Sequence, residues 1–281
     1  MKPHFLCIGA QKAGTTWLYA NLRRHPEIWM PPIKELHFFD GAKPPGLYRN
    51  LLSNIAGFSR PGAAQNIAFL LKLAILSRTA ENYGKLFPDL DGRVTGDITP
   101  AYARLTDETI REIHRVLPQA KILYILRDPI ERARSQVKMR MARQKWSAAQ
   151  VAGWSDDELR RRLLGGAAAE NSAYVANLEK WGRYYGEDNL AVLYFDDIRD
   201  EPEQFLLDVF RFVGVTPSSE YTAQSMTRRI HAGTRTTIPL RLEALIREMH
   251  IDQVRRVHAH LNNEKTRRWL DDAPEAAATP A

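Results

Sequence analysis

Three short stretches of the chain are apolar without interruption: FLCIGA at 5–10, ILYIL at 122–126 and LAVLYF at 190–195. All three read as strands, and the first, without polar alternation, predicts a strand buried on both faces of a parallel sheet. Between the runs the apolar spacing becomes helical. TTWLYANLRRH places Leu18 and Leu22 on one face and stops before Pro26, and TDETIREIHRVL spaces Ile110, Ile113 and Leu117 likewise before Pro118. After the second run Asp128 predicts an N-cap, with Pro129 at the first helical position and Glu131 completing a capping box. Ile130, Ala133, Val137 and Met141 then share one side, and Arg132, Arg134, Lys138, Arg140, Arg143 and Lys145 are expected on a solvated face. After the third run Asp200 and Glu203 predict another capped helix, carrying Phe205, Leu206, Val209 and Phe212 and ending at Gly214. RVTGDITPAY (93–102) reads as a short strand entering a turn. PPIKELHFFD (31–40) reads as a loop rich in ionisable and aromatic groups, 41–63 as irregular, and 65–87 as helical with Gly84 a weak point.

Strands alternating with helices predict an α/β fold. No linker or repeat divides the chain, so one domain is expected over 1–270, with DDAPEAAATPA (271–281) a disordered tail. The chain has 281 residues and a net charge of +7, which points to anionic partners without choosing among nucleotides, nucleic acid, acidic sugars and lipid surfaces. Cys7 is the only cysteine and sits in an apolar run, where a packed, inert thiol is expected. The longest apolar stretch, IAFLLKLAIL at 67–76, is broken by Lys72 and too short to span a bilayer. No charged-then-apolar leader is recognised, and a cytoplasmic location is expected.

The candidate chemistry begins at IGAQKAGTTW (8–17), between a predicted strand and a predicted helix. Gly9 and Gly14 have the spacing of the nucleotide-binding loop G-x-x-x-x-G-K-[ST], but Thr15 stands where its lysine belongs, and Lys12 lies inside the loop. A helix N-terminus with unpaired N–H groups attracts anions. The loop therefore reads as a cradle for an anion other than a β/γ-phosphate pair, or as a tight turn without a ligand. Either way it predicts a P-loop-like central parallel β-sheet flanked by helices. A second candidate is Arg127, at the carboxyl end of a predicted strand, with Ser135 two turns into the next helix. Together they could hold a separate phosphate. Asp196 and Asp197 after LAVLYF read as structural rather than as magnesium ligands.

Taken in order, GAQKAGTTWL, KELHFFD, GDITPAY and ILRDPIERARS resemble the sulfotransferases that use 3′-phosphoadenosine 5′-phosphosulfate (PAPS), in the branch containing the heparan sulfate N- and O-sulfotransferases and many bacterial relatives. The resemblance runs from about 5 to 215. It implies PAPS as co-substrate, no metal, and a first loop in which Gly9, Lys12, Ala13, Gly14, Thr15, Thr16 and Trp17 meet the 5′-phosphosulfate. It implies that Arg127 and Ser135 bind the 3′-phosphate, and that a later basic loop (Arg229, Gly233, Thr234, Arg235) touches the nucleotide. Glu35 is implied as general base, a task that a carboxylate suits if partial burial or neighbours raise its pKa, and Lys12 as the group stabilising the leaving phosphate. His37 is expected to support the base or bind the acceptor. The branch commonly has EKTPAY, whose lysine reaches the reaction centre, where this chain has Ile98. Asp40 and Asp97 are expected as acceptor contacts, while Thr99, Pro100 and Tyr102 shape the turn. The acceptor is expected to be a small molecule or glycan, anionic ones included, with no nucleic-acid partner and no membrane span. Two other classes stay open: a P-loop-type kinase and a non-enzymatic polyanion binder.

Overall fold

The structure, a computed structural model, describes residues 2–222 and 236–272 except 89 and 91. Five strands form one sheet: β1 Phe5–Gly9, β2 Ile28–Trp29, β3 Val94–Ile98, β4 Lys121–Leu126 and β5 Leu190–Tyr194. Their order is β2-β3-β1-β4-β5, and every neighbouring pair is parallel. Phe5 lies opposite both Gly96 and Lys121, so β1 is central and its five residues are all buried. This is the physical reason for its unbroken apolar run. From β1 the chain builds β2 and β3 to one side and β4 and β5 to the other. Such a reversal opens a crevice at the carboxyl ends of the strands, where ligands bind in open α/β sheets. The segments after Gly9, Ile98 and Leu126 meet there.

The helices differ from the sequence expectation in instructive places. The segment 41–63 is not irregular throughout: Leu47–Ala56 is helical, its prolines and Gly46 standing before the helix rather than in it. The single helix expected over 65–87 is two, Ala63–Ile75 and Ala80–Gly84. Leu76 is extended, and the Thr79 side chain caps the second helix by accepting from the Asn82 N–H. Asp128 caps the Pro129–Gln144 helix through the Ile130 N–H at 2.8 Å, but Glu131 does not complete a box; its carboxylate pairs with Arg134 at 2.5 Å. Asp200 is not an N-cap either: it pairs with Arg199 at 2.6 Å, and the next helix, Pro202–Val213, starts after Glu201. Arg132 leaves the solvated face entirely. It is fully buried and donates to the Ser172 hydroxyl at 2.7 Å and to the Gln136 side chain at 2.5 Å. Arg134 is bound to Glu243 of the Leu240–Leu261 helix at 2.5 Å. Cys7 is buried as expected, and burial pushes its thiol up to about 12. Asp271 closes the last helix, Glu264–Asp271; residues 273–281 lie outside the described residues.

Candidate active site

The loop between β1 and the Thr15–Leu22 helix is stitched to β4: the Ala10 N–H donates to the Ile125 carbonyl at 2.7 Å, and the Arg127 guanidinium donates to the Lys12 carbonyl at 3.0 Å. Arg127 therefore points at the glycine turn, and its guanidinium lies 4.4 Å over the Phe195 ring. The two glycines answer to packing as well as to an anion. A Cβ on Gly9 would stand 2.8 Å from the Tyr124 ring, and Gly14 has φ 85° with Ile198 2.6 Å from where its Cβ would be. The Thr15–Leu22 helix carries no side-chain cap and no acid in its first turn, which leaves its N-terminal amides facing the crevice charge-free. Ala13 contributes less than expected, since its N–H is engaged with the Ala10 carbonyl at 3.2 Å. Thr15 is buried, Thr16 half-buried, and the half-buried Trp17 packs edge-on to Phe205 at 6.0 Å.

Lys12 has φ 73° and its ammonium lies 3.6 Å from the Met139 sulfur. Burial, then the nearby charges of Arg127 and Lys34, lower its pKa. Like charges gathered in this way disfavour one another's charged forms and favour an anion beside them. Lys34 is the residue that sequence reasoning missed, although it was in view as the first letter of KELHFFD. Its side chain is only 13% exposed and is paired with Glu35 Oε1.

The KELHFFD segment is pinned by GDITPAY. The Glu35 N–H donates to the Ile98 carbonyl at 3.0 Å, the Leu36 N–H to the Thr99 hydroxyl at 2.9 Å, and the Phe38 N–H to the Tyr102 hydroxyl at 2.9 Å. Leu36 and Phe38 are drawn fully into the core, so Glu35 and His37 face away from it, at φ 65° and 48°. A side-chain-bearing residue in this conformation costs roughly 1–2 kcal/mol, and such strain persists where the surroundings over-determine it. Thr99 and Tyr102 thus do shape the turn.

Three carboxylates depart from expectation. Glu35 is not a raised carboxyl: burial pushes it up, but the His37 hydrogen bond and Lys34 outweigh that and hold it at about 2. Asp40 does not present itself to an acceptor. It accepts from His37 Nδ1 at 2.6 Å through one oxygen and from the Ala42 N–H at 3.2 Å through the other. Asp97 is 1% exposed and accepts from the Tyr83 hydroxyl and the Thr99 hydroxyl, both at 2.8 Å, so it is a buried strut; burial raises it to about 6 against those two hydrogen bonds. His37 Nε2 lies 3.6 Å from Glu35 Oε2. Burial lowers its pKa, yet Asp40 and Glu35 together raise it to about 9.

Ser135 is half-buried one turn beyond Glu131, whose carboxylate lies 3.6 Å from the Arg127 guanidinium. Asp196 accepts from the Trp269 indole at 3.0 Å and Asp197 pairs with Lys265 at 2.7 Å, the structural roles expected of them. Arg229, Gly233, Thr234 and Arg235 lie outside the described residues.

Residues 3–219 match the sulfotransferase family. The bifunctional heparan sulfate N-deacetylase/N-sulfotransferase 4 of Mus musculus is 27% identical over 240 residues, covering 78% of this chain and 23% of its own length. The chain thus spans about a quarter of that relative. The crystal structure of a sulfotransferase from Alicyclobacillus acidocaldarius shares the fold with a TM-score of 0.64 at 22% identity, over 96% of this chain and 99% of that one. A mouse sulfotransferase complexed with PAP does so with a TM-score of 0.53 at 12% identity, over 98% and 90%. With the family match spanning both the glycine loop and the Arg127 strand end, the chain belongs to the sulfotransferase family.

Proposed function

We propose that the chain moves the sulfuryl group of PAPS onto a hydroxyl or amine of a glycan or small-molecule acceptor. The observation that carries this reading is the cluster of Lys12, Lys34 and Arg127 at an uncapped helix N-terminus, with the Glu35 carboxylate on its rim. The residues fit the donor: cations and free amides face the crevice, and Thr15 in place of a lysine suits a nucleotide without a β/γ-phosphate pair. When bound, PAPS supplies an activated sulfur–oxygen bond to a 5′-phosphate. The mouse structure holding PAP and the heparan sulfate relative support this donor and a sugar-like acceptor.

Lys12 neutralises charge growing on the departing 5′-phosphate oxygen, assisted by the amides of Thr15 and Thr16. Arg127 and Ser135 hold the 3′-phosphate, with Glu131 giving way from its long contact to Arg127. As the acceptor atom bonds to sulfur and the bond from sulfur to the 5′-phosphate oxygen breaks, Glu35 takes the acceptor's proton. At about 2 it is a poor base while His37 and Lys34 hold it ionised. Lys34, turned to the sulfonate oxygens of a bound donor, would add positive charge at the transferring group and remove one of the two partners that hold Glu35 down, leaving His37 as the other. It thereby supplies the cation that Ile98 cannot. Asp40, bonded to Nδ1, keeps His37 Nε2 toward Glu35.

The test is transfer of labelled sulfate from PAPS to a panel of glycans, amines and small alcohols, with products read by mass spectrometry. Labelled product dependent on Glu35 is expected. Phosphoryl transfer from Mg-ATP to the same panel, with no sulfate transfer, would replace this reading by the kinase one.

A further inference from the structure

We propose that the helical hairpin formed by Leu47–Ala56 and Ala63–Ile75 docks the protein on the surface of an anionic lipid bilayer. Among the described residues, six of the eight exposed large hydrophobic side chains belong to it: Tyr48, Leu52, Ile55, Phe58, Leu71 and Ile75. Their spacing is not scattered. Tyr48, Leu52 and Ile55 form a stripe at helical spacing, Phe58 lies in the turn that follows, and Leu71 and Ile75 form a second stripe one turn apart. The inner faces are already satisfied, since Leu47, Phe69, Leu70 and Leu73 are buried, and Asn66 bonds Asn54 across the hairpin at 3.0 Å. Isolated surface hydrophobes need no explanation, but an organised set does.

Charge selects the occupant. From Gly41 to Thr79 the sequence contains no aspartate or glutamate, and it carries Lys43, Arg49, Arg60, Lys72 and Arg78. All five are exposed; Lys72 also reaches the Lys85 carbonyl at 3.2 Å, and Arg78 lies 4.9 Å over the Phe38 ring. Apolar stripes flanked by uncompensated cations are the signature of helices that lie in the headgroup region of anionic membranes. A second copy of the chain is disfavoured, because a twofold contact through this face would set five cations against five. The hairpin begins a short loop after Asp40, so it follows directly in sequence on the segment carrying Glu35 and His37. No helix among the described residues is long and apolar enough to cross a membrane, so the attachment is peripheral.

The experiment is flotation of the full chain with vesicles of phosphatidylglycerol and phosphatidylcholine, compared with phosphatidylcholine alone, at low and high salt. Binding to the anionic vesicles that salt weakens is expected. The paired substitution Arg49→Gln with Arg60→Gln should weaken it roughly 30-fold, at about a fivefold loss for each charge. Leu52→Ser with Ile75→Ser should weaken it by about tenfold or more. Far-ultraviolet circular dichroism and Tm, measured in every variant, report that the fold is retained. Equal flotation by both variants, no flotation of the native chain, or concentration-dependent dimerisation abolished by Leu52→Ser with Ile75→Ser would each overturn the proposal. None of these readouts depends on sulfate transfer, so the transfer reaction and the docking surface stand or fall separately.

Discussion

Lys12, Glu35 and His37 are three of the five residues other than glycine described with positive φ, and they are three of the residues singled out for chemistry. The backbone at Glu35 is held by its N–H bond to Ile98 and that at Lys12 by the Arg127 bond to its carbonyl, so these two conformations do not depend on the side chains to be substituted. Lys12→Ala should reduce kcat by about 10²–10³-fold while donor affinity changes far less, checked by single-turnover transfer beside calorimetric titration of adenosine 3′,5′-bisphosphate. Unchanged turnover with weakened donor binding would remove Lys12 from the transition state. Glu35→Gln should abolish transfer with donor binding intact, and wild-type-like rates would exclude it as the base. His37 offers a pH readout. Its folded pKa, about 9, lies above the ordinary 6.5, so the stability it contributes is complete below about 6.5 and is lost as pH rises through about 9. Asp40→Asn should move the His37 ring titration downward, followed by NMR. The stability difference between Asp40→Asn and the native chain should be larger at about pH 6 than above about pH 9. An unmoved titration would mean that Asp40 does not set the His37 charge.

The element that matters most is the pairing of one loop with another. KELHFFD is legible in the sequence as a dense cluster of ionisable and aromatic groups, and GDITPAY as a strand entering a turn. Nothing in either says that the second exists to hold the first. Three main-chain N–H groups, of Glu35, Leu36 and Phe38, donate across some sixty positions of sequence to the Ile98 carbonyl and the Thr99 and Tyr102 hydroxyls. Thr99→Val removes the acceptor for the Leu36 N–H and a donor to Asp97, and leaves both buried. It should cost about 1–3 kcal/mol in urea unfolding and, by loosening Glu35, lower kcat more than it raises KM. A variant that loses stability but keeps native kcat would show that the clamp is purely structural. The same distance effect explains the two acids read as acceptor contacts. Asp97 alternates along a strand that sequence shows to be short, but only the packed sheet puts Tyr83 and Thr99 on its oxygens. Asp40 reads from sequence as an acceptor contact, but the histidine it orients is visible only once the loop is folded. The hairpin of Leu47–Ala56 and Ala63–Ile75 failed to read as two full helices because its glycines and prolines crowd the ends, and its outward stripes weaken the usual contrast of apolar and polar faces.

At the scale of the whole molecule, one ligand should tie β1, β4 and the KELHFFD segment together. Adenosine 3′,5′-bisphosphate without magnesium should raise Tm, by about 2.7 kcal/mol of added stability when present at a hundred times its Kd. Stabilisation by Mg-ATP and not by the bisphosphate would contradict the donor assignment. What the sequence determined by itself was local and periodic: strands from unbroken apolar runs (buried at β1 and β4, only half-buried at the edge strand β5), the glycine loop from spacing, Arg127 at a strand end, and a parallel α/β sheet from alternation. Those features are written in neighbouring residues, where sterics and hydrophobic burial act over a few positions. What only the tertiary structure decided was the state of the groups so assembled. Glu35 became a strongly acidic carboxylate rather than a raised one, Lys34 joined the cation cluster, and Arg132 went into the core. Each outcome depends on how far a charge is removed from water and which opposite charge or hydrogen-bond partner stands beside it, and distant segments supply both when they pack together.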